Sequence, residues 1–392
     1  MNTAQSSRKA TVVHSLPFWL PLTATWLYNQ IRYLPPEITS HIVCGWTEHC
    51  DRFHVQNIHS LRDSIGWKWR VELGLYRWGV RRYFAHLLPT IRQCQASVLH
   101  SHWGDVAWRD LPAARAANVP HVATFYGKDV NYLPQMKPVW AKRYSELFAH
   151  ISLVLCEGTH MGKCLEKLGC PSKKIQVLHL GVEVDQIVFR PRRWNGDEPF
   201  RVLIAASFRE KKGIPYALEA IGQLQDEVNQ IEITIIGDAS KDRRSHPEKE
   251  KILDALKRYR LEARTRLLGY QPYSVLFEEA YRHHLFISPS VTAVDGDTEG
   301  GAPVTIIEMA ATGMPIVSTT HCDIPAVVLH GKTGLLAPER DSPALYECLR
   351  WFVRHPERWQ EMLEAGRKHV EDQYNVVSQV RKLRDIYLSL AG

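Results

Sequence analysis

Apolar runs of four to six residues alternate, along the whole chain, with stretches whose apolar residues recur at helical spacing. A run that is apolar throughout suits a strand buried on both faces, and parallel strands need a crossover, usually a helix, to join them. The alternation restricts the chain to stacked β-α units around parallel sheets, an α/β fold. Candidate strands in the front half are 11–16, 41–45, 97–100, 121–125 and 152–156; in the back half they are 201–207, 231–237, 265–269, 285–289 and 315–319. A length of 392 residues suits two such domains. Between them, 183–200 is rich in proline and charge and lacks periodicity, which marks a linker. The expected domains are 1–185 and 196–374, with ligands at the carboxyl ends of the strands, in the cleft between the two.

The formal net charge of +7 is uneven: residues 1–190 hold 22 Lys and Arg against 13 Asp and Glu, and residues 191–392 hold 27 against 29. So diffuse an excess favours anionic partners and argues against nucleic-acid binding. Its densest part is 61–92, with seven Lys or Arg, two acidic residues, and Trp67, Trp69, Tyr76, Trp78 and Tyr83. From 72 onward Leu73, Tyr76, Val80, Phe84 and Leu87 recur at helical spacing, with Arg77 and Arg81 four apart on another face. The segment reads either as a surface helix with snorkelling arginines or as a patch for peripheral contact with anionic lipid or an anionic acceptor. Eight cysteines without a C-x-x-C pair fit inert thiols in a reducing cytosol, and no Cys/His cluster has zinc spacing. Residues 10–31 are uncharged, but Pro17 and Pro21 interrupt them, so a strand, loop and helix fit better than a signal peptide or membrane span. A cytoplasmic protein is expected, at most resting on the inner face of the membrane.

Segment 295–319, D-G-D-T-E-G-G-A-P-V-T-I-I-E-M-A-A-T-G-M-P-I-V-S-T, carries the most chemistry. A helix over about 303–312, with Pro303 in its first turn, would aim the free N–H groups of Gly301, Ala302, Val304 and Thr305 at an anion such as phosphate. Gly300 and Gly301 let a ligand approach the backbone. Glu308, inside the helix, can accept two hydrogen bonds from a diol such as a ribose, and Glu299 can face a hexose. Asp295-Gly296-Asp297 is formally a metal-binding D-x-D pair but reads as a polar loop beside the diglycine turn. No metal is expected. His100 and His102 lie at a strand end, and His102, beside Trp103-Gly104-Asp105, is a candidate on the acceptor side together with Asp129.

Segment 295–319 resembles the E-x7-E signature of the retaining family-4 glycosyltransferases of the GT-B fold. So do R-V-L-I-A-A-S-F-R-E-K-K-G-I-P at 201–215, H-G-K-T-G-L-L-A-P at 330–338, V-L-H-S-H-W-G at 98–104, V-A-T-F-Y-G-K-D at 122–129 and L-H-L-G-V-E-V-D at 178–185. The branch it is most similar to is the bacterial exopolysaccharide enzymes of the colanic-acid type, which share D-G-D-x-E-G and the T-x-H-x-D-I-P run at 319–325. The resemblance implies two Rossmann-like domains facing each other across a cleft, with the last helix, 375–392, packing back on the first. It implies a UDP- or GDP-linked sugar as donor substrate, no cofactor, and a glycan or lipid-linked acceptor. Glu299, Arg209, Lys212 and His102 take the catalytic roles. The donor would be held by Gly300, Gly301, Ala302, Pro303, Val304, Glu308, Ser207, Gly237 and Tyr270, the last two near the base; Tyr126, Asp129 and Trp103 would face the acceptor.

Three positions depart from the family pattern. Glu299 and Glu308 are separated by eight residues, Ser207 stands where an arginine is usual, and Tyr126 stands where a histidine is common. A phenol is a poor base near neutral pH. The implied transfer needs no dedicated base there: Lys212, Arg209 and the helix amides stabilise the departing diphosphate, whose oxygen takes the acceptor's proton. Other activities on the same fold, a sugar-nucleotide epimerase, a disaccharide phosphorylase or a non-catalytic sugar-nucleotide-binding subunit, would differ in what they require.

Overall fold

In a computed structural model, which describes residues 9–21, 24–240 and 242–392, the apolar runs form strands, most of them closed off from water on both faces; the edge run 265–269 is the exception, with Leu267 45% exposed. Val12 and Val13 are consecutive and both fully buried, as only a strand covered on each side allows. The first sheet contains β1 (Ala10–Ser15), β2 (Ile38–Cys44), β3 (Ile58–Ser60), β4 (Val98–His102), β5 (His121–Phe125), β6 (Leu153–Cys156) and β7 (Ile175–Val177). Its order is β3-β2-β1-β4-β5-β6-β7, all parallel. The second contains β8 (Phe200–Ala205), β9 (Ile231–Ile236), β10 (Thr265–Gly269), β11 (Leu285–Ser288), β12 (Ile316–Thr319) and β13 (Leu335–Ala337), in the order β10-β9-β8-β11-β12-β13, again parallel.

Both orders are doubly wound. The chain first builds outward from β1 or β8, then returns to the other side of that strand. Strands β1 and β4, and likewise β8 and β11, therefore send their following loops in opposite directions and leave a crevice at their carboxyl ends. Two compact units contain these sheets: residues 1–181 with 376–392, and residues 182–375. The last helix, Val376–Ala391, packs Leu383, Ile386 and Tyr387 against Val12, Val98 and Val122 of the first sheet.

The stretch expected to be a linker, 183–200, belongs to the second unit. Val184 and Ile187 are buried in its core, and the buried Arg192 guanidinium donates to the carbonyls of Ala280 at 2.8 Å and His283 at 3.1 Å. Its prolines and charges disguise a packed segment because the arginine finds acceptors on the main chain. The helix expected from residue 72 is shorter than its apolar spacing suggests. It spans Trp69–Arg77 and stops where Gly79 takes φ 78°, leaving Val80 71% exposed. Phe84 nevertheless stacks on Tyr76 at 4.4 Å, so two elements share the apolar stripe.

Candidate functional site

In the second unit the crevice between β8 and β11 is built from two loops. After β8, the turn 207–213 carries Arg209, Lys211 and Lys212; it can hug the loop after β11 because Gly213, at φ 62°, lies where a Cβ would come within 1.9 Å of the Pro289 carbonyl oxygen. After β11, segment 289–303 delivers Asp295, Asp297 and Glu299. The two loops meet through charge. Lys212 Nζ lies 2.8 Å from Glu299 Oε1, and Ser290 Oγ donates to the same oxygen at 2.8 Å. Lys211 Nζ lies 3.3 Å from Asp297 Oδ1 and donates to the Thr298 carbonyl at 2.7 Å. Arg209 spans Asp297 at 2.5 Å and Asp242 at 3.2 Å. Burial works against the charge of Glu299, but Lys212 and Lys211 hold its carboxyl down at about 2.

The main chain at Glu299 is fixed from behind. Its N–H donates to His321 Nε2 at 3.1 Å, which leaves the His321 proton on Nδ1, 2.7 Å from Glu339 Oε1. The Thr292 N–H donates to the other oxygen of Glu339 at 2.7 Å. The helix that follows runs Val304–Ala311, with Pro303 as its N-cap rather than its first residue. Pro303 accepts the Ile306 N–H at 3.0 Å, while no partner occupies the N–H groups of Gly301, Ala302, Val304 or Thr305 among the described residues. Glu308 sits inside this helix, 4% exposed, and accepts from the Tyr273 hydroxyl at 2.5 Å. Burial pushes its carboxyl up to about 7, against the pull of Tyr273.

Other residues proposed from sequence frame this cluster. Gly237, at φ 132°, lies against the turn after β8: a Cβ there would come within 1.9 Å of the Ala206 carbonyl oxygen. Its N–H donates to the Gly269 carbonyl at 2.8 Å, tying the ends of β9 and β10 together. Tyr270, next in the chain, is 54% exposed. Ser207 precedes Arg209 in the same turn and accepts its N–H at 2.8 Å through the main-chain carbonyl. Asp295 and Asp297 are not a free polar loop: Asp297 is 4% exposed and anchors Arg209 and Lys211, and Asp295 pairs with Arg244 at 3.0 Å.

In the first unit the matching crevice, between β1 and β4, holds histidines. Register places His14 beside His100. The two histidines of β4 are separated by one residue and share a face. His14 Nδ1 and His102 Nε2 share a proton at 3.1 Å, and His102 Nδ1 lies 2.7 Å from the Tyr126 hydroxyl. His100 is bonded on both sides, to the Tyr387 hydroxyl at 2.6 Å and to Thr124 Oγ1 at 2.7 Å. Burial drives all three imidazoles well below their usual range, to about 3 for His14, so all are neutral near pH 7. Their nitrogens lie within 4.8 Å of one another, a metal-competent grouping that no spacing along the chain announced. Tyr126 also packs on Trp26 at 4.6 Å and on Trp103 at 5.2 Å. Trp103 itself adopts φ 76°, ψ 140°, a conformation nearly confined to glycine. Asp129 is committed to the main chain: its oxygens accept the Gly104 N–H at 2.7 Å and the Tyr126 N–H at 3.0 Å. It positions these two turns, and burial raises its carboxyl to about 7.

Sequence reasoning passed over several members of both clusters. Lys211 looked interchangeable with its neighbours. Tyr273 and Glu339 lie far along the chain from the residues they hold. His321 stood in the quoted 319–325 run but drew no role. His14, in an apolar strand, gave no local signal.

Two doubly wound sheets with these loops define a GT-B fold, and the comparisons agree. Residues 186–369 match the family described as glycosyl transferases group 1, and residues 23–186 match glycosyltransferase family 4. WcaL of Escherichia coli strain K12, named for a glycosyltransferase role in colanic acid biosynthesis, is 30% identical over 72% of this chain and 68% of its own length. The amylovoran biosynthesis glycosyltransferase AmsK of Erwinia amylovora is 33% identical over 69% of this chain and 64% of its own. The chain thus spans about two thirds of the length of these relatives. The structure of Anabaena HepE in complex with UDP and glucose shares the fold, with a TM-score of 0.76, 14% identity, and coverage of 97% of this chain and 100% of the other. A glycosyltransferase from Rickettsia africae does likewise, at a TM-score of 0.75 and 17% identity over 97% and 98%. This chain belongs to the glycosyltransferase family of the GT-B fold.

Proposed function

We propose that the chain transfers a sugar from a nucleoside diphosphate donor, UDP- or GDP-linked, to a glycan or lipid-linked acceptor in exopolysaccharide assembly, with retention at the anomeric carbon. One observation carries the reading. Lys212, Lys211 and Arg209, held by buried carboxylates at the mouth of the β8/β11 crevice, lie in the loop that packs against the segment bearing the unpartnered N–H groups from Gly301 to Thr305. A pyrophosphate suits such a setting, since oriented amides and fixed cations stabilise charge without having to reorganise.

As the bond from the anomeric carbon to the diphosphate breaks, negative charge grows on the leaving oxygen. Lys212 and the helix amides take up that charge, and the same oxygen receives the acceptor's proton, so no separate base and no metal enters this scheme. Glu308 accepts from the ribose diol with the oxygen that Tyr273 leaves open, and Glu299 faces the hexose. In the first unit, Tyr126, His102 and Trp103 present an aromatic and hydrogen-bonding face suited to a sugar acceptor. A thermal-shift panel of UDP-, GDP- and ADP-sugars tests the donor: one nucleotide class should raise the midpoint of the wild type and not that of Lys212→Ala. No shift with any of them would overturn the reading.

For a lipid-linked acceptor, the segment after residue 61 offers a docking surface. Trp67 and Trp78 are 79% and 84% exposed, and Lys68, Arg70 and Arg77 flank them. Aromatic side chains beside cations match the interface of an anionic bilayer, which supports peripheral attachment at a cytoplasmic membrane face. No helix among the described residues is long and apolar enough to cross a membrane.

A further inference from the structure

The second unit has another concave surface, at the opposite end of its sheet from Lys212 and Glu299. A cavity of about 650 Å³ opens near the amino ends of β8, β9, β10 and β11. Seven arginines and two histidines line it, with two carboxylates and no lysine. Such a volume lies in the range of small-ligand sites, about 300–1,000 Å³.

The arginines divide by what they already hold. Arg192 is structural, its guanidinium spent on main-chain carbonyls. Arg201 pairs with Glu198 at 2.8 Å and Glu232 at 3.2 Å, the two lining carboxylates. Arg266 and Arg282 share the buried Glu279, at 3.1 and 3.3 Å. Arg190, Arg193 and Arg264 remain, with no ion pair among the described residues; Arg264 has the Asn229 carbonyl at 3.1 Å, and Arg190 lies over the Tyr281 ring at 5.3 Å. Seven guanidinium groups therefore face three carboxylates, counting Glu279, and each carboxylate is already engaged. Like charges gathered around one concavity repel one another and cost stability, a cost that a bound anion offsets.

We propose that this cavity binds a small molecule bearing two or more phosphoryl groups. Arginine without lysine is the composition that favours phosphate held by paired N–H donors over loose attraction of counterions. Tyr281 lines the same concavity and lies beneath the guanidinium groups of Arg190 and Arg192, at 5.3 and 4.9 Å, which holds these two arginines in place. The site is independent of the donor loops and of the glycosyl-transfer reading.

Calorimetry with inorganic tripolyphosphate tests this on three forms of the 392-residue chain: the wild type, Arg193→Glu/Arg264→Glu, and Lys211→Ala/Lys212→Ala. The lysine variant should retain a binding event that the arginine variant loses or shows at least about tenfold weaker, the scale of one charge-assisted contact removed. Arg193→Gln/Arg264→Gln, which removes charge without reversing it, gives the same answer should the glutamate pair unfold the protein. Equal tripolyphosphate affinity in the wild type and in the folded arginine variants would overturn the proposal. So would complete loss of binding in the lysine variant, since the probe would then sit in the donor site alone.

Discussion

Lys212 Nζ and Glu299 Oε1 stand 2.8 Å apart, joining the loop after β8 to the loop after β11 across the crevice of the second sheet. The pair is almost wholly shielded, with side-chain exposures of 18% and 8%. Removing one partner strands the other. Lys212→Ala should destabilise the chain by about 1–3 kcal/mol, less than for an isolated buried pair because Lys211 remains near, and should weaken donor binding at least tenfold. In Lys212→Met/Glu299→Gln much of the lost stability should return while turnover stays absent. Urea denaturation of the wild type, Lys212→Met, Glu299→Gln and the double variant, beside donor titrations of these and of Lys212→Ala, reads both; full donor affinity in Lys212→Ala would refute the site.

Glu308 should make both stability and donor binding depend on pH. Its folded carboxyl titrates near 7 against 4.5 unfolded. Between these values the native state holds a proton that the unfolded chain has lost. Its contribution to stability thus falls as pH rises from about 4.5 to 7 and is level above, by about 3 kcal/mol in all. Glu308→Gln should flatten that slope in denaturation profiles at pH 5, 6, 7 and 8. Affinity for the nucleotide sugar should rise over pH 6 to 8 in the wild type as the carboxylate forms, and stay low and flat in the variant.

Gly237→Ala tests the backbone packing where the end of β9 meets the turn after β8. The added methyl would meet the Ala206 carbonyl oxygen at 1.9 Å, at a φ of 132° that alanine avoids. A loss of about 2–4 kcal/mol is expected. An unchanged unfolding midpoint would show that the turn after β8 can move aside.

The aromatic and basic surface after residue 61 should bind anionic vesicles. Trp67→Ser/Trp78→Ser and, separately, Lys68→Glu/Arg70→Glu should each reduce cosedimentation with phosphatidylglycerol vesicles several-fold, with turnover on a water-soluble acceptor fragment unchanged. Arg81 is a poor choice for this test, because it already pairs with Glu72 at 2.8 Å. Equal sedimentation of all forms would leave an ordinary protein surface.

Most strands of both sheets were legible because their residues are buried on both faces, so runs such as 202–206 and 285–287 carry an unbroken apolar signal. Strands β3, β7 and β13, three residues each at the sheet edges, were not, since three residues are too short a run to leave a pattern, even in β13 where all three are buried. At the charged cluster of the second unit the sequence order itself brought Glu299, the glycines and Glu308 together, and Lys212 followed from the turn after β8. What could not be read was partnership over distance. Nothing local to Tyr273 points to Glu308, nor to Glu339 from Thr292, and His14 reaches His102 only because β1 and β4 are neighbours. Linker 183–200 misled for a related reason: the carbonyls that receive Arg192 lie about ninety residues further on.

Trp103 bears on how much firmness this chain gives up for its contours. A glycine at φ 76°, ψ 140° would relieve about 1–3 kcal/mol of backbone strain. It would also delete the indole that leans on Tyr126. Trp103 also packs on the core around Trp19, so Trp103→Gly sets that relief against the loss of a partly buried indole, about 3–5 kcal/mol, and should melt no later than the wild type while working worse. Breeding a sturdier catalyst from this scaffold therefore calls for leaving residue 103 untouched.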